Sequence, residues 1–369
     1  MPRCFHRPLL PLLLTLMLGL LLSHPASAVR VDNLYSVELP ATDQSTAERL
    51  KLFSEAMRKV LAKLTGDQAL ADLPQLQGPI KRAARFVQEY RYTSRPVPAE
   101  GEDGEPREQL FLTVRFDAKA LDRLLRENRL RLWGRERPST LLLMAVQQGG
   151  RLTLVADDTT PQLAAEINRL ADTRGLPVLL PLNDLEDSRV LGARQIRDRD
   201  ETAIAAISAR YAPDALLIGT LAGNDQKGWR GNWQLRFSGR RDDWSYQKES
   251  REAVLTQALA QLARTLASEY ALDSSMAGGQ DLMLTVEGVA TLDDLLRVSR
   301  YLKSLEAIES LRPRLVEPNR ATFRVRLRNA AQDLSRLIAL GDVLEQEELP
   351  QIQAGASDTL VRMRYRLLR

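Results

Sequence analysis

Arginines alternating with apolar residues offer the most distinctive chemistry in the chain. Arg324, Arg326 and Arg328 alternate with Phe323, Val325 and Leu327. Arg362, Arg364 and Arg366 alternate with Val361, Met363, Tyr365 and Leu367, and Arg312 and Arg314 with Leu311, Pro313 and Leu315. A strand has a side-chain period of two, so each arginine set lies on one face and each apolar set on the other. A shared cationic face is a candidate surface for an anionic partner: a polymer, a lipid headgroup or an acidic protein. The alternative is a solvated face, or one docked on acids of the same chain such as the loop 98–106.

A second set is aromatic. Trp229, Trp233 and Phe237 fall on one strand face with Gly231 and Leu235, and Trp244 and Tyr246 stand on a facing strand. Such rings are candidates for stacking on sugars, or for packing into a core. Other patterns are weaker. Ser245 and Lys248 have S-x-x-K spacing, but the companion K-T-G and S-D-N motifs are missing and the pair falls in a strand. Asp184, Glu186 and Asp187 could attract Ca²⁺, but they lack its loop spacing and read as a solvated loop. Neither a phosphate-binding loop nor a dinucleotide fingerprint is present, so no cofactor is expected. The arginine face lacks the paired aromatics that stack bases, so nucleic acid is not an expected partner.

What the chain lacks bears on catalysis. Its first 28 residues have Arg3 and Arg7, an apolar run from Leu9 to Leu22, and a small-x-small end at Ala26-Ser27-Ala28. These are the parts of a secretory signal peptide, with cleavage expected between Ala28 and Val29. The run is shorter than the roughly 20 residues that span a bilayer. His6, His24 and Cys4 all lie in this leader, so the mature chain has neither histidine nor cysteine. That excludes disulfides, imidazole or thiolate metal sites and Ser-His-Asp catalysis. Cys4 precedes the apolar run and is not a lipidation site. The expectation is therefore a non-enzyme without bound metal. Loss of Arg3 and Arg7 also brings the formal charge of +4 closer to zero, so cationic function must be local.

These residues need elements to position them. The pattern predicts a multidomain chain of α/β and α+β type. Residues 29–135 read as an α+β domain. In it a strand over Val31–Leu39 ends at Pro40, and a helix capped by Ser45 and Glu48 carries Leu50, Phe53, Met57, Val60, Leu61 and Leu64 before Gly66. A second helix is expected over Pro79–Tyr90, then two strands, then a helix capped by Asp117. Residues 139–272 alternate strand and helix, as in an α/β domain. Its strands are Thr140–Val146, Val178–Leu180 and Asp214–Thr220, with a tryptophan-bearing ribbon and a closing helix. Residues 273–280 read as a linker. Residues 281–369 have the order βαββαβ of the ferredoxin-like motif, with the last helix capped by Asp333 and reaching Leu344.

Three stretches carry a family resemblance: Val31-Asp32-Asn33-Leu34-Tyr35-Ser36-Val37-Glu38-Leu39-Pro40, Leu61-Ala62-Lys63-Leu64-Thr65-Gly66, and Arg210 to Thr220. With them the mature chain resembles an uncharacterised exported family of Gram-negative proteobacteria, domain of unknown function 2066. The resemblance implies a periplasmic location and assigns no catalytic residue. The central domain alone is similar in fold to envelope accessory domains, such as those of the curli-export lipoprotein and the outer-membrane activator of a penicillin-binding protein. The expectation is a soluble, unlipidated periplasmic protein that binds another protein or an anionic component of the envelope. A peptidoglycan or glycan binder and a carboxylate-based hydrolase are the alternatives.

Overall fold

The computed structural model describes residues 29–97, 107–224, 226–272, 279–347 and 361–368. The leader with Ala28, the acidic loop 98–106 and linker residues 273–278 lie outside them.

The first part of the chain builds a three-stranded sheet covered by helices. Strand β1 (Val29–Arg30) leads to β2 (Ser36–Ala41). Strand β2 runs through Pro40 instead of ending there. It pairs only with one neighbour, and an edge strand can do without the missing amide. Helix α1 (Thr46–Thr65) begins where the Ser45 Oγ accepts the Glu48 N–H at 3.2 Å. Its buried face holds Phe53, Met57, Val60, Leu61 and Leu64, whereas Leu50 is exposed. Gly66 closes the helix at φ 74°, the left-handed conformation that glycine adopts without penalty. Helix α2 (Pro74–Lys81) lies earlier than expected, because Pro74 suits a first turn where no amide is needed. A short 3₁₀ turn then enters β3 (Val87–Val97). Strand β4 (Arg107–Phe116) pairs with both β2 and β3, and helix α3 (Ala118–Glu127) is capped by the Asp117 carboxylate.

Strand β5 (Glu136–Arg137) pairs with β1, so Val29 lies opposite Arg137. The central sheet follows. Its members are β6 (Thr140–Gln148), β7 (Arg151–Leu154), β8 (Val178–Leu179), β9 (Ala215–Asn224), β10 (Gly228–Phe237) and β11 (Arg240–Lys248). Strand β6 is parallel to β8 on one side and β9 on the other, and β9–β10–β11 continue as an antiparallel meander. Between them run α4 (Pro161–Asp172), α5 (Leu185–Val190), α6 (Ala193–Arg197) and α7 (Glu201–Tyr211), and α8 (Arg251–Tyr270) closes the unit. Helices α4 and α8 bury one face of the sheet. Ile196 and α7 bury the other, so β6 is apolar on both sides. Helices α5 and α6 were not expected from the polar stretch that forms them.

The last sheet has five strands where the ferredoxin-like pattern has four. Its elements are β12 (Asp281–Val289), α9 (Leu292–Ser304), β13 (Ile308–Glu317), β14 (Asn319–Leu327), α10 (Ala331–Leu340), β15 (Leu344–Gln346) and β16 (Val361–Leu367). The order is β13-β14-β12-β16-β15. A helical crossover returns the chain parallel to the strand it left, so the strand after α10 runs parallel to β14 and antiparallel to β12. Strand β15 does so at the edge. Strand β16 then turns back between β15 and β12 and lies parallel to β12. Leu344 therefore belongs to a strand and not to the preceding helix, whose N-cap is Ala330 and not Asp333. Among the described residues no helix is long and apolar enough to cross a membrane.

Candidate functional site

Helices α9 and α10 pack on one face of the last sheet. There Leu282, Leu284, Val286, Phe323, Val325, Leu327, Tyr365 and Leu367 are buried. The alternate residues form the opposite, open face. Strand registry puts Arg312 opposite Arg324, Met283 between Arg324 and Arg362, and Thr285 between Thr322 and Arg364. Arg312, Arg324, Arg326, Arg362, Arg364 and Arg366 thus share this face. Arg320, missed in the sequence because it precedes the alternating run, joins them opposite Glu287.

Two predicted members sit elsewhere. A register shift between Pro313 and Leu315 takes Arg314 out of the alternation, on the edge strand β13. Arg328 follows the end of β14 and lines a cavity at the junction with the first part of the chain.

The face is not uniformly cationic. Arg324 donates to Asp281 at 2.6 Å, and Arg326 lies 3.4 Å from the same carboxylate. The Arg324 hydrogen bond lowers the Asp281 pKa below the usual carboxylate range. Arg320 donates to Glu317 at 2.7 Å, and Arg366 to Glu347 at 2.7 Å. Exposed pairs of this kind are screened by solvent and weak, so an arriving anion exchanges them at small cost. Arg312 and Arg314 are exposed and have no acidic partner among the described residues. The Nε of Arg364 is buried without an acceptor.

The aromatic set is not a surface. Trp229 and Trp233 are each 1% exposed and Phe237 4%, in the core beneath α8. Trp244 and Tyr246 pack against the same cluster. None of the first three can meet a sugar ring, and the packing alternative stands. Nor is the acidic stretch a solvated loop. Asp184 caps α5 and receives Arg210 at 2.6 Å, while the fully buried Asp187 receives the Tyr211 hydroxyl at 2.6 Å. Among the described residues no group of three or more His, Cys, Asp or Glu could hold a metal ion.

Sequence reasoning also missed a seam between the parts of the chain. A cavity of about 360 Å³ there is lined by Asp122, Arg126, Leu132, Lys303, Glu306 and Arg328. Asp122 accepts the Tyr35 hydroxyl at 2.6 Å. Glu306 accepts the Arg135 N–H at 3.1 Å, while its Oε2 is buried without a partner. Glu136, on β5, is itself 5% exposed.

Burial raises the carboxyl pKa of all three. For Glu136 the repulsion of Glu306 adds to the effect, and for Asp122 the Tyr35 hydrogen bond opposes it. An acid with a raised folded-state pKa stabilises fully below its unfolded value, about 4, and loses that contribution as pH rises through the folded value. Glu306→Gln is therefore expected to melt close to wild type near pH 4 and above it at pH 8. Parallel melting curves across that range would count against a buried, proton-holding Glu306.

Residues 28–134 match the family described as Domain of unknown function (DUF8605). The match agrees with an uncharacterised domain. It differs from the expected resemblance in family, and in extent, since it covers the first part of the chain and not the whole mature length. No curated protein matches the sequence.

Proposed function

We propose that the chain is exported by its leader, cut before Val29, and serves in the periplasm as a non-catalytic binding protein of the cell envelope. It takes an anionic partner on the open face of its last sheet. The observation that carries this reading is the face itself: seven arginines on three of four adjoining strands, with both helices of that unit on the other side. The location rests on the leader, and the central unit's likeness to envelope accessory domains points the same way. The hydrolase alternative has two carboxyls at one cavity. Asp122 and Glu306 are, however, engaged by Tyr35 and Arg135, and the free oxygen of Glu306 is closed off.

A photoreactive side chain at Thr322, in the middle of the face, tests the proposal in cells. It should crosslink an envelope component, and the product should vanish when Arg312 and Arg314 are changed to Glu. The same probe at Lys119, exposed on α3, should not yield it. Identical products from both positions would refute the assignment of the face. N-terminal sequencing of the recovered chain should begin at Val29; a start at Met1 would remove the export step.

A further inference from the structure

Eight of the 52 basic residues are lysines. Among the described residues just one of them is buried: Lys63, 4% exposed, in the last turn of α1. Its Nζ donates to the Ser36 carbonyl at 3.1 Å, and among the described residues no other acceptor takes its remaining two N–H groups. Its own carbonyl receives the Arg137 guanidinium at 2.7 Å, which fixes the turn that carries it.

Lys63 lines a cleft of about 690 Å³ between the first sheet and α4, together with Asn33, Glu38, Thr113, Asn168 and Asp172. Glu38 is occupied by Arg95 at 2.6 Å. Arg169, also at the cleft, is occupied by Glu252 at 2.6 Å. What is left for a ligand is polar: the amides of Asn33 and Asn168, the Ser36 hydroxyl and the Asp172 carboxylate, beside the one amine. Such a lining suits a compound rich in hydroxyls.

We propose that this cleft captures a small polyhydroxylated aldehyde or ketone, with the Lys63 Nζ forming a reversible imine at its carbonyl carbon. The neutral amine attacks the carbonyl carbon and a C–N bond forms. A proton passes from nitrogen to the carbonyl oxygen, and water then leaves as the C=N bond forms. The amine and carbonyl compound are thus converted to imine and water without any oxidant or reductant. Asp172 is the nearby carboxylate able to relay the proton. Burial and the neighbouring Arg137 charge pull the Lys63 pKa down to about 8, against the opposing pull of Asp172. At pH 7 roughly one amine in ten is then neutral, against about one in a few thousand for an ordinary lysine. None of the cleft residues belongs to the last sheet, so failure of the arginine-face reading would leave this cleft untouched.

The test is reductive trapping of the full mature chain with glyceraldehyde and sodium cyanoborohydride, read by peptide mapping. At pH 7 Lys63 should be labelled about tenfold faster than Lys59 and Lys51, which are exposed on the same helix. Its rate should saturate with glyceraldehyde and rise with a midpoint near pH 8. Asn168→Leu should weaken the saturation without lowering the melting temperature, and Lys63→Arg should remove the fast site. If Lys63 only struts α1 against β2, it will be labelled more slowly than Lys59, linearly in glyceraldehyde or only after denaturation, and the proposal is overturned.

Discussion

Arg137→Ala is expected to cost several kcal/mol of stability, because it removes the donor from a set of buried backbone carbonyls at about 1–3 kcal/mol each. Arg137 is fully buried, and all five of its N–H donors are used. The Nε donates to the Gly134 carbonyl at 2.9 Å. One terminal nitrogen donates to Arg174 and Gly175 at 3.0 and 2.9 Å, the other to Lys63 and Trp133 at 2.7 and 3.0 Å. The guanidinium also lies 3.9 Å from the Trp133 ring centre. Three chain segments therefore meet on one side chain: the end of α1, the stretch before β5, and the turn after α4. Burial pulls its pKa down to about 9, which leaves it charged at neutral pH.

Truncation strands up to five carbonyls away from water, each costing about 1–3 kcal/mol if nothing replaces the bond. Arg137→Lys should recover only part of the loss, because an ammonium offers three donors from one point and cannot span the fork. Melting and denaturant curves read both effects. An Arg137→Ala protein as stable as wild type would mean that the seam is held by something else.

Trp233→Ala is expected to lose about 3–5 kcal/mol, as for truncation of other buried large aromatics. The ring fills space that two glycines leave open. A Cβ built on Gly219 would lie 2.3 Å from the Trp233 ring, and one on Gly231 would lie 2.7 Å from its Nε1. Gly219→Val should therefore overpack the same place and cost about 1–3 kcal/mol alone. In a Trp233→Ala background the added methyls would enter the vacated volume, so the two changes should not add. Thermal melting of the four proteins decides it. A Trp233→Ala variant with unchanged melting but weakened sedimentation with peptidoglycan would restore the glycan reading.

The elements were more legible than the way they meet. Period-two alternation is local, so the arginines of β14 and β16 could be assigned to one face from the sequence alone. Their partners could not, because Asp281 and Glu347 reach Arg324 and Arg366 across strand registers that only the assembled sheet sets. A bulge displaced Arg314, and the end of a strand displaced Arg328; neither leaves a local signal. The tryptophans of β10 pointed to a face but not to its cover, which is a helix that follows the ribbon and folds back over it. Arg137 falls between the ranges of the first two expected domains, in the charged run Arg135-Glu136-Arg137-Pro138. Its burial comes from carbonyls as distant in sequence as Lys63 and Gly175. Lys63 had a fainter signal: it lies three residues after Val60 and seven after Ala56, at the margin of an apolar stripe where a charge stands out.

The most direct measurement of the central claim is binding of a fluorescent poly-glutamate peptide to the purified mature chain, followed by anisotropy across a salt series. Arg312 and Arg314 are the exposed cations without acidic partners on or beside the open face, so the account predicts saturable binding that weakens with salt. Changing both to Glu should weaken it about tenfold or more, equivalent to about 1.4 kcal/mol. The same change at Arg91, exposed on β3, should leave binding intact. No binding at low salt, or binding that ignores Arg312 and Arg314 and falls with Arg91, would contradict the claim that the open face is where this protein meets its partner.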